Sequence, residues 1–146
     1  MWIAIIAAVF IVDRLSKWWV LHTLDHTIVL IRGWLEIEYV NNTAVLFAFA
    51  PSATVATAVL LIVLLLVLYF ASREYLEGHH RHVIALLFVC AGALSNIIDR
   101  FVTGGVVDFI SVPWWSVFNV ADVIIVGGVA TLLWWSLPLA KHRELL

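Results

Sequence analysis

The sequence predicts an all-α membrane protein with a small β element: four transmembrane helices and an extracytoplasmic β-like platform in the first loop. Three observations carry that expectation. Hydrophobic residues make up 64% of the 146 and charged residues only 12%, against roughly 45–50% and about 25% in soluble domains. Four apolar segments are visible, each near the roughly 20 residues a helix needs to cross about 30 Å of hydrocarbon. Between the first two lies Trp34-Leu35-Glu36-Ile37-Glu38-Tyr39, whose alternation of apolar and polar side chains has the period of a strand.

The first segment runs from about Trp2 to Leu21 and is interrupted by Asp13, Arg14 and Lys17. The second, about Ala53 to Ala71, is an unbroken Val/Leu/Ile run; the third covers about Val83 to Phe101 and the fourth about Val117 to Leu137. In lipid a backbone must satisfy its own polar groups, so these read as helices. Met1 to Val12 is apolar, but no basic residue precedes it and no A-x-A-like site follows. It therefore reads as a retained helix and not as a cleaved leader. The outer loop 22–52 contains the alternating stretch, with Gly33 before it and Asn41-Asn42 after it as turn residues. Residues 1–146 are expected to form a single integral-membrane domain.

Basic residues set the orientation. Arg73 and Arg81 lie between the second and third segments, and Lys141 and Arg143 follow the fourth. The first loop offers Arg32 against Asp25, Glu36 and Glu38, and the stretch from Val102 to Ser116 has no basic residue. Both termini and the middle loop are expected on the cytoplasmic side. Trp18-Trp19 and Trp114-Trp115 would then lie at the outer interface and Trp134-Trp135 near the inner one.

A net charge of −2 with no basic patch excludes nucleic acid as a partner, and the single Cys90 excludes an intramolecular disulfide framework. His79, His80 and His82 read as part of a solvated, charged loop. No metal, nucleotide or redox cofactor has a motif.

The remaining polar residues converge on one depth. Asp13 and Lys17 lie one turn apart in the outer half of the first helix; Asn96 and Asp99 close the third, and Asn119 and Asp122 open the fourth, each pair at i, i+3. Asp108 lies in the loop between those two ends. Acids at a membrane boundary are costly, and their default reading is a functional site. Structural roles compete for most of them: an ion pair for Asp13 and Lys17, a helix end for Asp99-Arg100, hydrogen-bond glue for Asn96 and Asn119. Gly104-Gly105 reads as a turn, and Gly127-Gly128 with Ala130 as a close-packing face. Asp108 and Asp122 have no basic neighbour in sequence, which disfavours a purely structural role.

Five boxes occur in one order. They are Asp13-Arg14-Leu15-Ser16-Lys17, Asn42-Thr43-Ala44-Val45-Leu46-Phe47, Gly92-Ala93-Leu94-Ser95-Asn96-Ile97-Ile98-Asp99-Arg100, Gly105-Val106-Val107-Asp108-Phe109-Ile110 and Phe118-Asn119-Val120-Ala121-Asp122. In these boxes and in its helical layout the chain resembles the bacterial lipoprotein signal peptidases (signal peptidase II), integral-membrane aspartic proteases. The resemblance implies that Asp108 and Asp122 are a catalytic dyad. It implies that Asp13, Lys17, Asn42, Asn96, Asp99, Arg100, Asn119 and Ala121 bind substrate or support the site. It also implies a monomer in the bacterial cytoplasmic membrane, with its site near the outer leaflet. There it would cut a diacylglyceryl-modified prolipoprotein on the amino side of the lipidated cysteine. Ala44 and Ser95 stand where the family usually has Gly, and Val123 where a Ser is common; these departures bear on loop geometry and efficiency more than on the dyad.

Two carboxyls a few ångströms apart share one proton, since both cannot ionise cheaply. The ionised member activates water while the other polarises the scissile carbonyl. Asn42 and Asn119 are candidate donors to the substrate backbone or the oxyanion. The competing functional readings are a small proton-coupled transporter subunit, with Asp13, Asp99 and Asp122 as relay groups, and a catalytically impaired homologue. A relay would spread polar groups through the membrane depth, whereas the second segment here carries none that is charged.

Overall fold

The computed structural model describes residues 1–43 and 52–137. The expectations attached to Ala44, Val45, Leu46 and Phe47, and to the basic tail Lys141 and Arg143, lie outside the described residues. Among the described residues there are four helices: α1 (Trp2–Thr23), α2 (Ala53–Leu76), α3 (His80–Thr103) and α4 (Val120–Ser136). They are joined by three strands, β1 (Ile28–Ile31), β2 (Leu35–Asn42) and β3 (Val106–Ser111), in one antiparallel sheet of order β1-β2-β3.

The alternating stretch expected as a strand is β2, and it forms a hairpin with β1 in which Ile28 faces Ile37 and Val29 faces Glu36. Gly33 takes φ 76° in the turn, a left-handed conformation that costs glycine little. The third strand corrects the sequence reading. Asp108 was expected in a loop, yet it sits on β3 opposite Val40, with Asn41 facing Val107 and Asn42 facing Val106. The physical reason is a partner distant in sequence: β3 forms by pairing with β2, and Asp108 stands opposite a residue 68 positions earlier.

Helix ends also shift from the expected positions. α2 continues to Leu76 and α3 begins at His80, which shrinks the expected loop 72–82 to residues 77–79. His80 and His82 therefore lie in the first turn of α3, not in a solvated loop. Asp99-Arg100 does not end α3, which runs to Thr103 and stops at Gly104, φ 77°, a left-handed cap that halts a helix. α4 starts at Val120 because Asn119 caps it: its side chain accepts from Asp122 N while the Asp122 carboxylate accepts from Asn119 N. That reciprocal pair is a capping box.

α2 and α3 are each 24 residues long and apolar enough to cross a membrane, while α4, at 17 residues, is apolar and shorter. Only 6% of the most apolar stretch of α2 is buried, against 56% for α3. A helix apolar on every side with so little of it covered is suited to a hydrocarbon surrounding. α3 is the central element, packed against α1, α2 and α4. Val20 of α1 packs with Val107 and Phe109 of β3, and Leu24, Ile37, Ile110 and Val120 close around them. Because successive strand residues face opposite ways, Val107 and Phe109 pin β3 to this cluster while Asp108 between them faces the other side.

α3 and α4 approach closely through two glycines. A methyl group on Gly92 would lie 2.7 Å from both Ala121 O and Ile125 Cγ1, and one on Gly128 would lie 2.7 Å from Val89 Cγ2 and 2.9 Å from Ala85 O. The expected small-residue face is thus only partly correct: Gly127 has open space around it and, like Ala130, is exposed. Gly92→Ala is expected to lower the melting temperature in detergent, by overpacking worth about 1–3 kcal/mol. Gly127→Ala should be neutral or stabilising by up to about 1 kcal/mol. Equal effects of the two substitutions on thermal unfolding would refute this packing.

Candidate active site

A buried ammonium lies at the base of the site. Lys17 Nζ, wholly buried in α1, contacts Asp13 Oδ2 at 3.0 Å and Asp99 Oδ2 at 2.8 Å. It also donates to Asn96 Oδ1 at 2.8 Å. Arg14, half-buried, forms an ion pair with Asp99 Oδ1 and donates to Ser95 Oγ at 3.2 Å and Ser95 O at 3.3 Å. Two acids thus meet two bases, and the four formal charges cancel. The i, i+4 pair expected of Asp13 and Lys17 exists, but it belongs to this larger cluster.

The cluster also fixes the surrounding backbone. Asp13 Oδ1 accepts from Ala121 N at 2.7 Å, and Asp13 Oδ2 accepts from Ser95 Oγ at 2.5 Å. α1 is thereby tied to the first turn of α4 and to the middle of α3. Asp99 Oδ2 accepts from Val107 N at 3.3 Å, which holds β3 one residue before Asp108. Arg100 points elsewhere, donating to Thr43 O at 3.3 Å at the end of β2.

Two asparagine side chains carry the arrangement forward. Asn96 Nδ2 donates to Asp122 Oδ1 at 2.9 Å, while its Oδ1 accepts from Lys17 and, at 3.2 Å, from Asn119 Nδ2. Asn119 Nδ2 also donates to Asp108 Oδ1 at 2.6 Å, and Asn42 Nδ2 donates to Asp108 Oδ2 at 2.8 Å. Asp122 Oδ2 accepts from Asn119 N at 3.2 Å and completes the capping box. Asp108 and Asp122 are therefore linked through Asn96 and Asn119. The link exists because Phe118 pairs back onto β3, with Ile110 N donating to Phe118 O at 2.8 Å and Phe118 N to Ile110 O at 3.0 Å. That return brings Asn119 beside Asp108.

Burial is the largest influence on Asp108 and pushes its pKa up to about 6. The amides of Asn42 and Asn119 oppose the rise by favouring the charged form, and the neighbouring charge of Asp122 adds to it.

All ten residues singled out from the sequence lie in this region. Asp13, Lys17, Asn96, Asp99, Asn119 and Ala121 form its buried base, Asp108 and Asp122 its upper edge, Asn42 and Arg100 its β2 side. Asn42 and Asn119, expected as donors to substrate, donate here to Asp108. Arg14 and Ser95 were missed. The signal for them was the i, i+4 spacing of Ser95 and Asp99, which places both on the face of α3 that meets α1.

Lys17→Met would leave two buried carboxylates with a single cationic partner. It is expected to cost roughly 3–5 kcal/mol, and Lys17→Met with Asp99→Asn should recover part of the loss in a thermal-unfolding comparison. Asp108 gives a pH test. Its carboxyl is raised from 3.8 to about 6 on folding, so its contribution to stability falls as pH rises from about 4 through about 6 and is level above. Asp108→Asn lacks that fall. The melting-temperature difference should therefore move in favour of the variant across this window, by roughly 3 kcal/mol at most; a pH-independent difference would contradict it.

The family model and the sequence relatives agree on one family. The family model described as Signal peptidase (SPase) II matches residues 5–138. A protein of Syntrophomonas wolfei named lipoprotein signal peptidase is 38% identical over 86% of this chain and 85% of its own length. One of the same name from Geobacter sulfurreducens is 31% identical over 88% and 86%. A solved structure described as a bacterial membrane enzyme, at 1.9 Å resolution, superposes with a TM-score of 0.78 at 25% identity, covering 94% of this chain and 92% of that one.

Proposed function

This chain belongs to the signal peptidase II family, and from that premise we propose that Asp108 and Asp122 are the acid–base pair with which it cuts its substrate. The protein is a membrane peptidase that removes signal peptides from prolipoproteins. The observation that carries the aspartic mechanism is the linkage of the two carboxyls: Asp108 from the sheet and Asp122 from α4 meet through Asn96 and Asn119.

The chemistry follows from that arrangement. The pair holds one proton between its members, because burial makes a second negative charge expensive. The ionised carboxyl draws a proton from water as the water attacks the scissile carbonyl. The protonated one donates to the carbonyl oxygen and stabilises the tetrahedral intermediate; a proton then passes to the leaving amine. Asn42 and Asn119 hold both oxygens of Asp108 in place. Neither oxygen of Asp122 is idle, so Asn96 and the start of α4 fix it as firmly.

The finer reading concerns where this happens. α1, with 22 residues, and α4, with 17, extend about 33 Å and about 26 Å at roughly 1.5 Å per residue. With α2 and α3 they make four spans in a bacterial cytoplasmic membrane, the termini and the α2–α3 turn inside. The carboxyls then sit near the outer leaflet, where the diacylglyceryl chains of the modified cysteine remain in lipid and the peptide bond on its amino side meets the dyad. β1 and β2 lie over the site as a platform that residues 34–42 share with the substrate. One chain holds every group the reaction uses, so the active unit is a monomer. The transporter reading fares worse: Asp13, Asp99 and Asp122, the groups a relay would use, gather at one end of the bundle, and α2 carries its charged residues, Arg73 and Glu74, only in its last turn.

Purified protein in detergent, given a diacylglyceryl-modified precursor, should release the signal peptide. Asp108→Asn and Asp122→Asn should each reduce the rate by about three orders of magnitude or more, with helix content by circular dichroism unchanged. Cleavage surviving both substitutions would defeat the dyad; no cleavage by wild type would favour an impaired homologue.

A further inference from the structure

At the opposite end of the bundle, the α2–α3 turn brings together side chains that the peptidase reaction does not use. Glu74 lies in the last turn of α2, His79 at the N-cap of α3 and His82 in its first turn. Glu74 Oε2 contacts His79 Nδ1 at 3.0 Å and His82 Nδ1 at 2.7 Å. The donor atoms of all three residues lie within 4.8 Å of one another. His79 makes no side-chain hydrogen bond to the exposed N–H groups of α3, where an N-cap side chain ordinarily would. It turns back to Glu74 instead.

We propose that Glu74, His79 and His82 form a binding site for a borderline divalent ion of the zinc type, which clamps the turn between α2 and α3. The donor set selects the ion. Two imidazoles and one carboxylate suit Zn²⁺ and its transition-metal neighbours, whereas Mg²⁺ and Ca²⁺ prefer oxygen alone. The spacing suits it as well. Zn–N and Zn–O bonds of about 2.0–2.2 Å around a tetrahedral ion put ligand atoms roughly 3.4 Å apart, so the carboxylate contacts of 2.7 and 3.0 Å open slightly and the donor atoms, already within 4.8 Å of one another, need only small adjustments. Glu77 Oε2 lies 3.7 Å from His79 Nδ1, while Glu77 Oε1 is paired with Arg73 at 3.2 Å; Glu77 or water takes the fourth position. His82 is the best-seated ligand, half-buried and stacked on Trp135 of α4 at 6.4 Å between ring centroids. The ligating nitrogen of each histidine must offer its lone pair to the ion, so acid weakens binding. His80 takes no part: its ring meets the edge of Tyr75 at 6.1 Å.

The test is calorimetric titration of the detergent-purified protein, made without a polyhistidine tag, with ZnCl₂ and with MgCl₂. The wild type should bind about one Zn²⁺ per chain and no Mg²⁺. His79→Ala/His82→Ala and Glu74→Gln should each weaken Zn²⁺ binding about tenfold or more, and His80→Ala should leave it unchanged. Zn²⁺ should also raise the melting temperature of the wild type but not that of the double variant, each against its own metal-free baseline. Absence of saturable binding by the wild type, or equal binding by the double variant, would overturn the proposal.

Discussion

One buried ammonium group organises this fold. Lys17 is enclosed completely, and an uncompensated charge there would be prohibitive. It is tolerated because Asp13, Asp99 and Asn96 all present oxygen to it. Each of those partners is itself committed: Asp13 to the backbone of α4, Asp99 to that of β3, Asn96 to Asp122. Satisfying one cation therefore sets the relation of α1, α3, α4 and the sheet in a single step. In a bundle surrounded by hydrocarbon, apolar burial gives little preference for one helix arrangement over another. A polar network of this kind supplies the specificity.

Local geometry then carries that order to the carboxyls. Phe118 returns to β3 and leaves Asn119 in the extended conformation of an N-cap. An asparagine there does more than start a helix. Its amide nitrogen reaches Asp108 and Asn96 while its oxygen receives the Asp122 amide. The side chain that begins α4 is thus the one that joins the two acids, and the helix cannot begin elsewhere without separating them. Gly92 lets Ala121 approach closely enough for its N–H to reach Asp13.

Much of this was legible in the sequence. The four helices, the alternating strand and the ten polar or site-lining residues are there, because long apolar runs and misplaced charges are strong local signals. β3 was not legible. Val106 to Ser111 is a short, mostly apolar stretch behind two glycines, and only its distant partner β2 makes it a strand. The same holds for Arg14 and Ser95, whose importance lies in contacts across more than 80 positions of sequence. Ser95 looked like a departure from a family glycine; its hydroxyl bridges Asp13 and Arg14. The reading of Asn119 and Asp122 as first-turn residues was near the mark. The reciprocal cap they form depends on backbone angles that residue type only favours.

The two acids belong to different bodies. Asp122 is anchored within the helices, whereas Asp108 rides on the sheet, and among the described residues the seam between the two is crossed by the apolar cluster around Val20 and by a few polar ties: the Asn119 amide on Asp108, the Val107 amide on Asp99, Arg100 on Thr43 O and Asn41 on Thr103 O. Their separation is consequently a gauge of how tightly sheet and bundle are docked. Any outward shift of the sheet parts the acids even if every helix stays intact.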